Sequence, residues 1–238
     1  MIRIRAFRAS SEPETCEKFI AGHRSILEMY YGIIKVTSDN NNWVHDPDCI
    51  VVIAEDTHTL KVLGGARLQI ASGYDQLPIE SALSKYDKKI YQLIEDSNKC
   101  GFTSEICGLW NSKEIAGMGI GSHILVRVCI AISPYVNVKS IFALCAPATV
   151  KISTQKGFKI VTEIGNNGTF FYPKDNFIAT IMKLSNVNDL NSLLENEKLK
   201  IITLRENLNY LSTEKGPKGT FEVEYMLDIR NNKYESVF

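Results

Sequence analysis

The feature that most constrains the fold is a run of three alternating glycines, Gly117, Gly119 and Gly121, which follows an apolar strand pattern and opens an apolar helix pattern. Glycine lets the backbone approach a ligand closely. The first N–H groups of a helix lack intrahelical acceptors, and the helix dipole makes that end positive. A strand, a glycine turn and a helix in this order therefore predict an α/β fold with an anion such as pyrophosphate at the turn.

Two common nucleotide-binding motifs do not fit this turn. The dinucleotide fingerprint G-x-G-x-x-G matches Gly117 and Gly119, but its third position is Ser122. The acidic residue that should follow about 20 positions on is also missing, since Asn137 and Lys139 stand there. The G-K-[ST] of a P-loop is absent. The sequence therefore argues against an NAD-dependent oxidoreductase.

Charge and composition exclude further classes of protein. Lys and Arg number 27, as do Asp and Glu, and no basic run occurs, so nucleic-acid binding is not expected. The longest apolar stretch, residues 124–133, is interrupted by Arg127 and is too short to span a bilayer. The six cysteines form no C-x-x-C pair, so we expect reduced thiols and no metal site. The charged N-terminus predicts a cytoplasmic protein.

Periodicity and turn residues give a mixed order of elements. Strands are predicted at 2–8, 50–54, 62–70, 102–110, 140–145, 158–164 and 178–184. Helices are predicted at about 12–34, 80–95, 117–133 and 147–156, with a loop at 37–45. Beyond Ser185 the pattern changes, with helices at 189–196 and 199–211 and a strand at 221–229. We therefore expect one α/β domain over residues 1–185 and a C-terminal extension over 186–238.

The glycine turn resembles the acyl-CoA pyrophosphate loop of the GNAT superfamily of N-acyltransferases, whose pattern is [RQ]-x-x-G-x-[GA]. Gly119 and Gly121 match the last two positions, and Ala116 stands where the family has a basic or amide residue. A short strand, a helix and the pair Gly157-Phe158 then match the second family signature. The resemblance covers residues 2–184 and implies a mixed, twisted central sheet flanked by helices.

The resemblance also implies a donor site. Acetyl-CoA or a longer acyl-CoA would be the co-substrate, with backbone groups of Leu109 and Asn111 pairing with the pantetheine. The donor phosphates would lie on the turn itself, with Lys113 as a replacement for the missing basic residue. The turn residues are Gly117, Met118, Gly119, Ile120, Gly121 and Ser122.

Glu105 is the candidate general base, because many members of the superfamily carry a carboxylate on this strand. The alternative is a structural salt bridge. Ser153 occupies the place of the family's tyrosine acid, which leaves Tyr172 as a weak substitute. Cys107 has no histidine near it in sequence, so a buried thiol is favoured over a nucleophile.

The N-terminal half is similar to a narrower group, the acyl-homoserine-lactone synthases and the long-chain N-acyl amino acid synthases. The matching positions are Arg24, Trp43, Asp46, Asp48, Arg67 and Glu105, whereas Gly108 stands in place of the arginine of the group's E-x-x-R motif. This resemblance implies that Arg24, Trp43 and Arg67 bind the acceptor and that an acyl carrier protein phosphopantetheine is an alternative donor. Arg67 as a structural ion pair and Trp43 as a cap over the core remain open.

Two functions follow from these resemblances. The first is an N-acyltransferase in which a primary amine, on a small molecule or an amino-acid-like acceptor, attacks the donor thioester directly in a ternary complex. The second is a non-catalytic acyl-thioester binding module that acts as a sensor. The extension would cover the acceptor site or form the edge of a homodimer, and the sequence leaves both open.

Overall fold

A computed structural model describes residues 1–34, 41–227 and 229 of the chain. Residues 37–40 of the predicted loop, residue 228 of the predicted last strand, and residues 230–238 of the extension lie outside them. The described strands are β1 (Ile2–Arg8), β2 (Cys49–Asp56), β3 (Val62–Ile70), β4 (Phe102–Asn111), β5 (Val138–Cys145), β6 (Lys159–Ile160), β7 (Thr169–Phe171), β8 (Ile178–Leu184), β9 (Asn209–Gly216) and β10 (Gly219–Leu227). The described α-helices are α1 (Pro13–Tyr31), α2 (Pro78–Leu83), α3 (Lys89–Asn98), α4 (Val126–Ile132), α5 (Pro147–Gln155) and α6 (Glu195–Glu206).

The strands form one mixed sheet in the order β6-β8-β5-β4-β3-β2-β1-β10-β9, with β7 paired to β8. The β1–β10 and β4–β5 pairs are parallel, and the other pairs are antiparallel. Helices α1, α2 and α3 cover one face, whereas α4, α5 and α6 cover the other. The predicted α/β architecture, a mixed sheet flanked by helices, is confirmed.

Side-chain alternation along β4 places Glu105 and Cys107 toward α1 and α2, and Ile106 toward α4. The largest cluster of buried apolar side chains lies around α4, which is buried along its whole length. These β4 residues therefore stand between two packed layers and are buried.

Several predicted elements differ in the structure. The helix expected at 80–95 is divided into α2 and α3, because Asp87 accepts the N–H of Lys89 at 3.0 Å and starts a second helix. The strand expected at 158–164 is only the two residues of β6. The helix expected at 117–133 begins with a π-helical turn, Ile120–Leu125.

The extension also differs from its predicted elements. The helices expected at 189–196 and 199–211 are replaced by one helix, α6, which ends at Glu206. Residues predicted as the end of the second helix begin β9, which pairs with β10 around the turn at Gly216–Gly219. Cross-strand pairing over eight residue pairs outweighs the local helix preference of this segment. The boundary at 185/186 stays a prediction.

Buried charges join the extension to the central helix. Arg127 of α4 contacts Glu197 of α6 through Nε at 2.8 Å and Glu214 of β9 through Nη1 at 3.0 Å. Lys156 also contacts Glu197, and the hydroxyl of Tyr225 donates to Glu214 at 2.8 Å. The opposite charges of this cluster compensate one another, whereas a single buried charge without a partner would destabilise the folded protein.

Within the described residues, every helix is too short or too polar to cross a membrane. The same part of the chain contains no group of three His, Cys, Asp or Glu side chains arranged to hold a metal ion.

Candidate functional site

A cleft opens where β4 and β5 stop pairing. Their parallel pairs run from Phe102–Val138 to Ile106–Ala143 and end there. On the other side of β4, Gly65 pairs with Trp110 and Arg67 with Cys107, so two β4 residues oppose the single residue Ala66. This is a β-bulge, and its first residue, Gly108, has a φ of +60° that favours glycine. The bulge turns β4 at the level where the cleft begins.

The cleft holds a cavity of about 250 Å³ that runs from α1 and the start of α2, between β4 and β5, to α4 and α5. Apolar side chains form most of its wall, and a few polar groups point into it. The polar and backbone groups that concern the chemistry come from His23, Glu105, Gly108, Leu109, Ser153 and Tyr172. Such a cavity can hold an extended ligand with one reactive end near Glu105.

Glu105 is 3 % exposed and lies in the wall of this cavity. Burial raises the pKa of its carboxyl to about 8, although the N–H of Ile79, which donates to Oε2 at 2.7 Å, and the nearby Arg67 both act in the opposite direction. Without those two groups the pKa would be higher still. None of the ion pairs among the described residues includes Glu105, and its interaction with Arg67 is electrostatic.

Arg67 and Trp43 come together next to Glu105. The guanidinium carbon of Arg67 lies 4.4 Å from the centre of the Trp43 ring, and its Nε donates to Cys107 Sγ at 3.2 Å. Arg67 is 1 % exposed, and both residues line a small cavity of about 30 Å³ beside Pro78. Pro78 also lines the large cavity. Arg67 and Trp43 thus lie behind the wall that carries Glu105, and neither lines the large cavity.

Other candidates are placed differently. Arg24 is exposed on α1 and lines neither cavity. Asp46 is fully buried, which raises the pKa of its carboxyl, and it accepts the N–H of Asp48 at 2.8 Å. Burial raises the pKa of Cys107 to about 12, so its thiol stays neutral near pH 7 and is a poor nucleophile.

The structure adds a residue that the sequence reasoning missed. His23 is 8 % exposed, lies in the cavity wall, and stacks on Phe19 with ring centres 6.3 Å apart. Phe19, His23 and Leu27 are spaced by four residues on α1, so they share one helical face. A histidine within an apolar helical face was the available signal. Ser153 also lines the cavity, with Oγ 3.4 Å from Cys145 Sγ.

The glycine turn has the backbone shape that its sequence predicts. Gly117 and Gly119 have φ values of +78° and +80°, which other residues rarely adopt. The carbonyl of Gly119 accepts the N–H groups of His123 and Ile124. Gly121 is glycine for a different reason, because a Cβ there would lie 2.4 Å from Nδ2 of Asn111. The Asn111 side chain therefore packs on the turn.

The predicted donor residues fall into two groups. Leu109 lines the large cavity, whereas Asn111 pairs with Gly64 of β3 and contacts Gly121 through its side chain. The glycine turn lies outside the cavity lining, beyond Leu109 along β4. Lys113, the expected replacement for the missing basic residue, lies with Nζ 5.8 Å from the centre of the Tyr30 ring of α1.

No model of a protein family matches the sequence, and no curated protein is detectably similar to it. Solved structures are similar in fold. FeeM, an N-acyl amino acid synthase from uncultured soil microbes, is 13% identical, with a TM-score of 0.60 over 82% of this chain and 99% of that chain. An acyl-CoA N-acyltransferase from Pseudomonas aeruginosa is 10% identical, with a TM-score of 0.51 over 77% of this chain and 99% of the other.

Arabidopsis thaliana NAA60, solved in complex with acetyl-CoA, is 16% identical, with a TM-score of 0.50 over 77% of this chain and 98% of that chain. At these identities the comparisons establish the fold. The fold that the glycine turn and the order of elements predicted is therefore confirmed. The chain has the fold of the GNAT superfamily of acyl-CoA N-acyltransferases.

Proposed function

We propose that this protein is an N-acyltransferase, which moves an acyl group from a thioester to a primary amine by direct attack in a ternary complex. The observation that carries the proposal is the position of Glu105, a buried carboxyl in the wall of a cavity that lies between the diverging strands β4 and β5. The fold shared with N-acyltransferases supports the same reaction class.

The chemistry requires a base, because an amine is largely an ammonium ion near neutral pH. Glu105 accepts a proton from the ammonium, and the free amine then attacks the thioester carbonyl carbon. A C–N bond forms, the nitrogen gives up its second proton, and the C–S bond breaks. The leaving thiolate takes up that second proton, so that the products are the amide, the thiol and protonated Glu105. A carboxyl with a pKa of about 8 is well matched to this task near neutral pH. The positive charge of a bound ammonium would also favour the carboxylate form.

The donor enters the cleft beside Leu109, with its thioester near Glu105 and its phosphates toward the glycine turn. The cavity wall is mostly apolar over its whole length, which supports an acyl chain longer than acetyl. The donor is an acyl-CoA, and the phosphopantetheine arm of an acyl carrier protein presents the same thioester. An acetyl donor would leave much of the apolar wall without a contact.

The acceptor amine approaches from the side of α1 and α2. Arg67, stacked on Trp43, supplies a fixed positive charge behind that wall, and Arg24 lies on the exposed side of α1. A buried cation suits an acceptor that carries a carboxylate, such as an amino acid. We therefore propose an amino-acid-like acceptor. The charge of Arg67 would attract the acceptor carboxylate from behind the cavity wall and would also act on the carboxyl of Glu105.

The test is Glu105→Gln, which removes the base and keeps the size of the side chain. We expect kcat to fall by about 10²- to 10⁴-fold, the usual contribution of general base catalysis. The affinity for decanoyl-CoA, measured by calorimetry, should change less than about twofold, since donor contacts are untouched. Glu80→Gln is the matched control, because Glu80 accepts the N–H of Leu77 nearby and does not line the cavity.

Two results would count against the proposal in different ways. Full activity in E105Q would show that another group is the base. Tight acyl-CoA binding by the wild-type protein without turnover of any amine or amino acid in a broad screen would instead favour the non-catalytic binding module.

A further inference from the structure

The turn between β9 and β10, residues Gly216–Gly219, packs directly on the glycine turn between β4 and the central helix. A Cβ placed on Gly216 would lie 2.0 Å from the carbonyl oxygen of Met118. A Cβ on Gly119 would lie 3.5 Å from Cδ of Pro217. Two turns that are about 100 residues apart in the sequence are therefore in backbone contact.

This contact places a lysine at the glycine turn. A Cβ on Gly117 would lie 2.7 Å from Cε of Lys218, so the end of the lysine side chain lies over Gly117. Lys218 is exposed, as is Gly117. None of the ion pairs found among the described residues involves Lys218. Its ammonium group is thus available to a ligand at the turn.

Other basic residues near the turn are placed differently. Cδ2 of His123 would lie 3.6 Å from a Cβ on Gly119, and burial, followed by the charge of Lys156, lowers the pKa of its imidazole. Lys113 lies against Tyr30, as described above. Lys215 is on the opposite face of β9 from Glu214, which faces Arg127, because successive side chains of a strand alternate. Ala116, which directly precedes the turn, is uncharged. Among these residues, Lys218 is the cation at the glycine turn.

We propose that Lys218 contacts a phosphate group of the acyl donor, so that the C-terminal hairpin completes the donor site. The proposal rests on the proposed function, and it deepens it by naming a phosphate-bearing donor and a residue that holds it. Backbone N–H groups of the turn and the ammonium of Lys218 both donate to an anion, and a charge-assisted contact is stronger than a neutral one. The hairpin thereby supplies from the C-terminus the charge that Ala116 lacks.

The experiment compares Lys218→Ala with the wild-type protein on three donors with the same acyl chain: acyl-CoA, acyl-4′-phosphopantetheine and acyl-pantetheine. We expect K218A to bind acyl-CoA about five- to tenfold more weakly, the size of one partly exposed charge-assisted contact. Binding of acyl-pantetheine, which has no phosphate, should be unchanged. The difference should shrink as salt concentration rises. Lys218→Arg should retain most of the affinity, and Lys215→Ala is the matched control.

The donors also locate the contact. A loss with both phosphate-bearing donors supports a contact with the phosphate that CoA shares with carrier proteins. A loss with acyl-CoA alone supports a contact with the phosphates nearer the adenosine. Equal affinities of K218A and K215A for acyl-CoA, or an equal loss with acyl-pantetheine, would overturn the role of Lys218 and leave the proposed function standing. Failure of the wild-type protein to bind any of the three donors would overturn the proposed function itself.

Discussion

The backbone N–H of Ile79, at the start of α2, donates a 2.7 Å hydrogen bond to Oε2 of Glu105 on β4. This bond fixes the carboxyl group against the cavity wall. It also favours the carboxylate form, whereas burial between two packed layers favours the protonated form and is the larger influence, so that the pKa is about 8. The position of one helix terminus thus helps to set the proton affinity of the proposed base.

The first prediction concerns the pH dependence of the reaction. A base must be deprotonated to act, so we expect kcat/KM to rise with pH through an apparent pKa near 8. Acceptor amines titrate in the same range, so the profile should be measured with several amines of different pKa. If the inflection of the pH profile reports the titration of Glu105, it stays at the same pH for every amine in this series. A step that moves with the amine would assign the titration to the acceptor.

The second prediction concerns stability. The pKa of Glu105 is raised in the folded protein from 4.5 to about 8, so its proton stabilises the folded state. That contribution is present in full below about pH 4.5 and is lost as pH rises through 8. One pKa unit corresponds to about 1.4 kcal/mol of free energy of unfolding. At pH 9 the wild-type protein must bury a charged carboxylate, whereas glutamine stays neutral, so E105Q should be the more stable protein at that pH. Urea unfolding at pH 5 and pH 9 checks this, and an equal difference at both values would contradict it.

The third prediction concerns the β-bulge. Gly108→Ala puts a side chain on a residue with a φ of +60°, and its Cβ would lie 3.1 Å from Cζ of Phe19. We expect a loss of about 1 to 2 kcal/mol from the backbone conformation, together with weaker donor binding because the cleft wall moves. Gly32→Ala is the matched control, with a φ of +58° and no atom near its Cβ.

Chemical denaturation and calorimetric titration with acyl-CoA separate the two effects for these variants. If G108A and G32A lose equal stability and G108A binds the donor normally, the bulge does not shape the cleft.

The fourth prediction concerns the cysteines. The thiol of Cys107 is buried, and its pKa is raised to about 12, so Cys107→Ala should retain activity within about threefold. Iodoacetamide should label the exposed Cys100 first and leave Cys107 unmodified in the folded protein. Mass spectrometry of the labelled peptides checks this order. Trapping of an acyl group on Cys107 would instead indicate a covalent intermediate.

The fifth prediction concerns the joint between the extension and the rest of the chain. Arg127→Met removes the cation that Glu197 and Glu214 share. Lys156 and Lys200 still contact these carboxylates, so we expect a loss smaller than the roughly 3 to 5 kcal/mol of an uncompensated buried charge, but above about 1 kcal/mol. Lys99→Ala, which breaks the exposed pair with Asp96, should cost less than about 1 kcal/mol.

We also expect a chain ended at residue 185 to be strongly destabilised, because Arg127 would lose both carboxylates. Equal Tm values for the 238-residue chain and the shortened chain would support an independent domain over 1–185.

Local patterns in the sequence predicted much of the sheet and the position of the glycine turn. Alternation and turn residues located the β2–β3 hairpin and strand β4, and the glycine spacing located the turn at Gly117–Gly121. These features depend on backbone preferences that residues a few positions apart impose on each other.

The tertiary structure decided what distant residues do to one another. His23 and Glu105 line one cavity, Trp43 stacks on Arg67, and Lys218 lies over Gly117, although each pair is far apart in the chain. The strand β9 exists because β10 pairs with it, against the local helix pattern. Burial, and the pKa of Glu105 that follows from it, depends on how many groups from other elements exclude water. The sequence by itself therefore determined the elements that local preferences control. Packing decided the elements in which a distant partner overrides those preferences, such as β9, and the chemistry of the side chains between the layers.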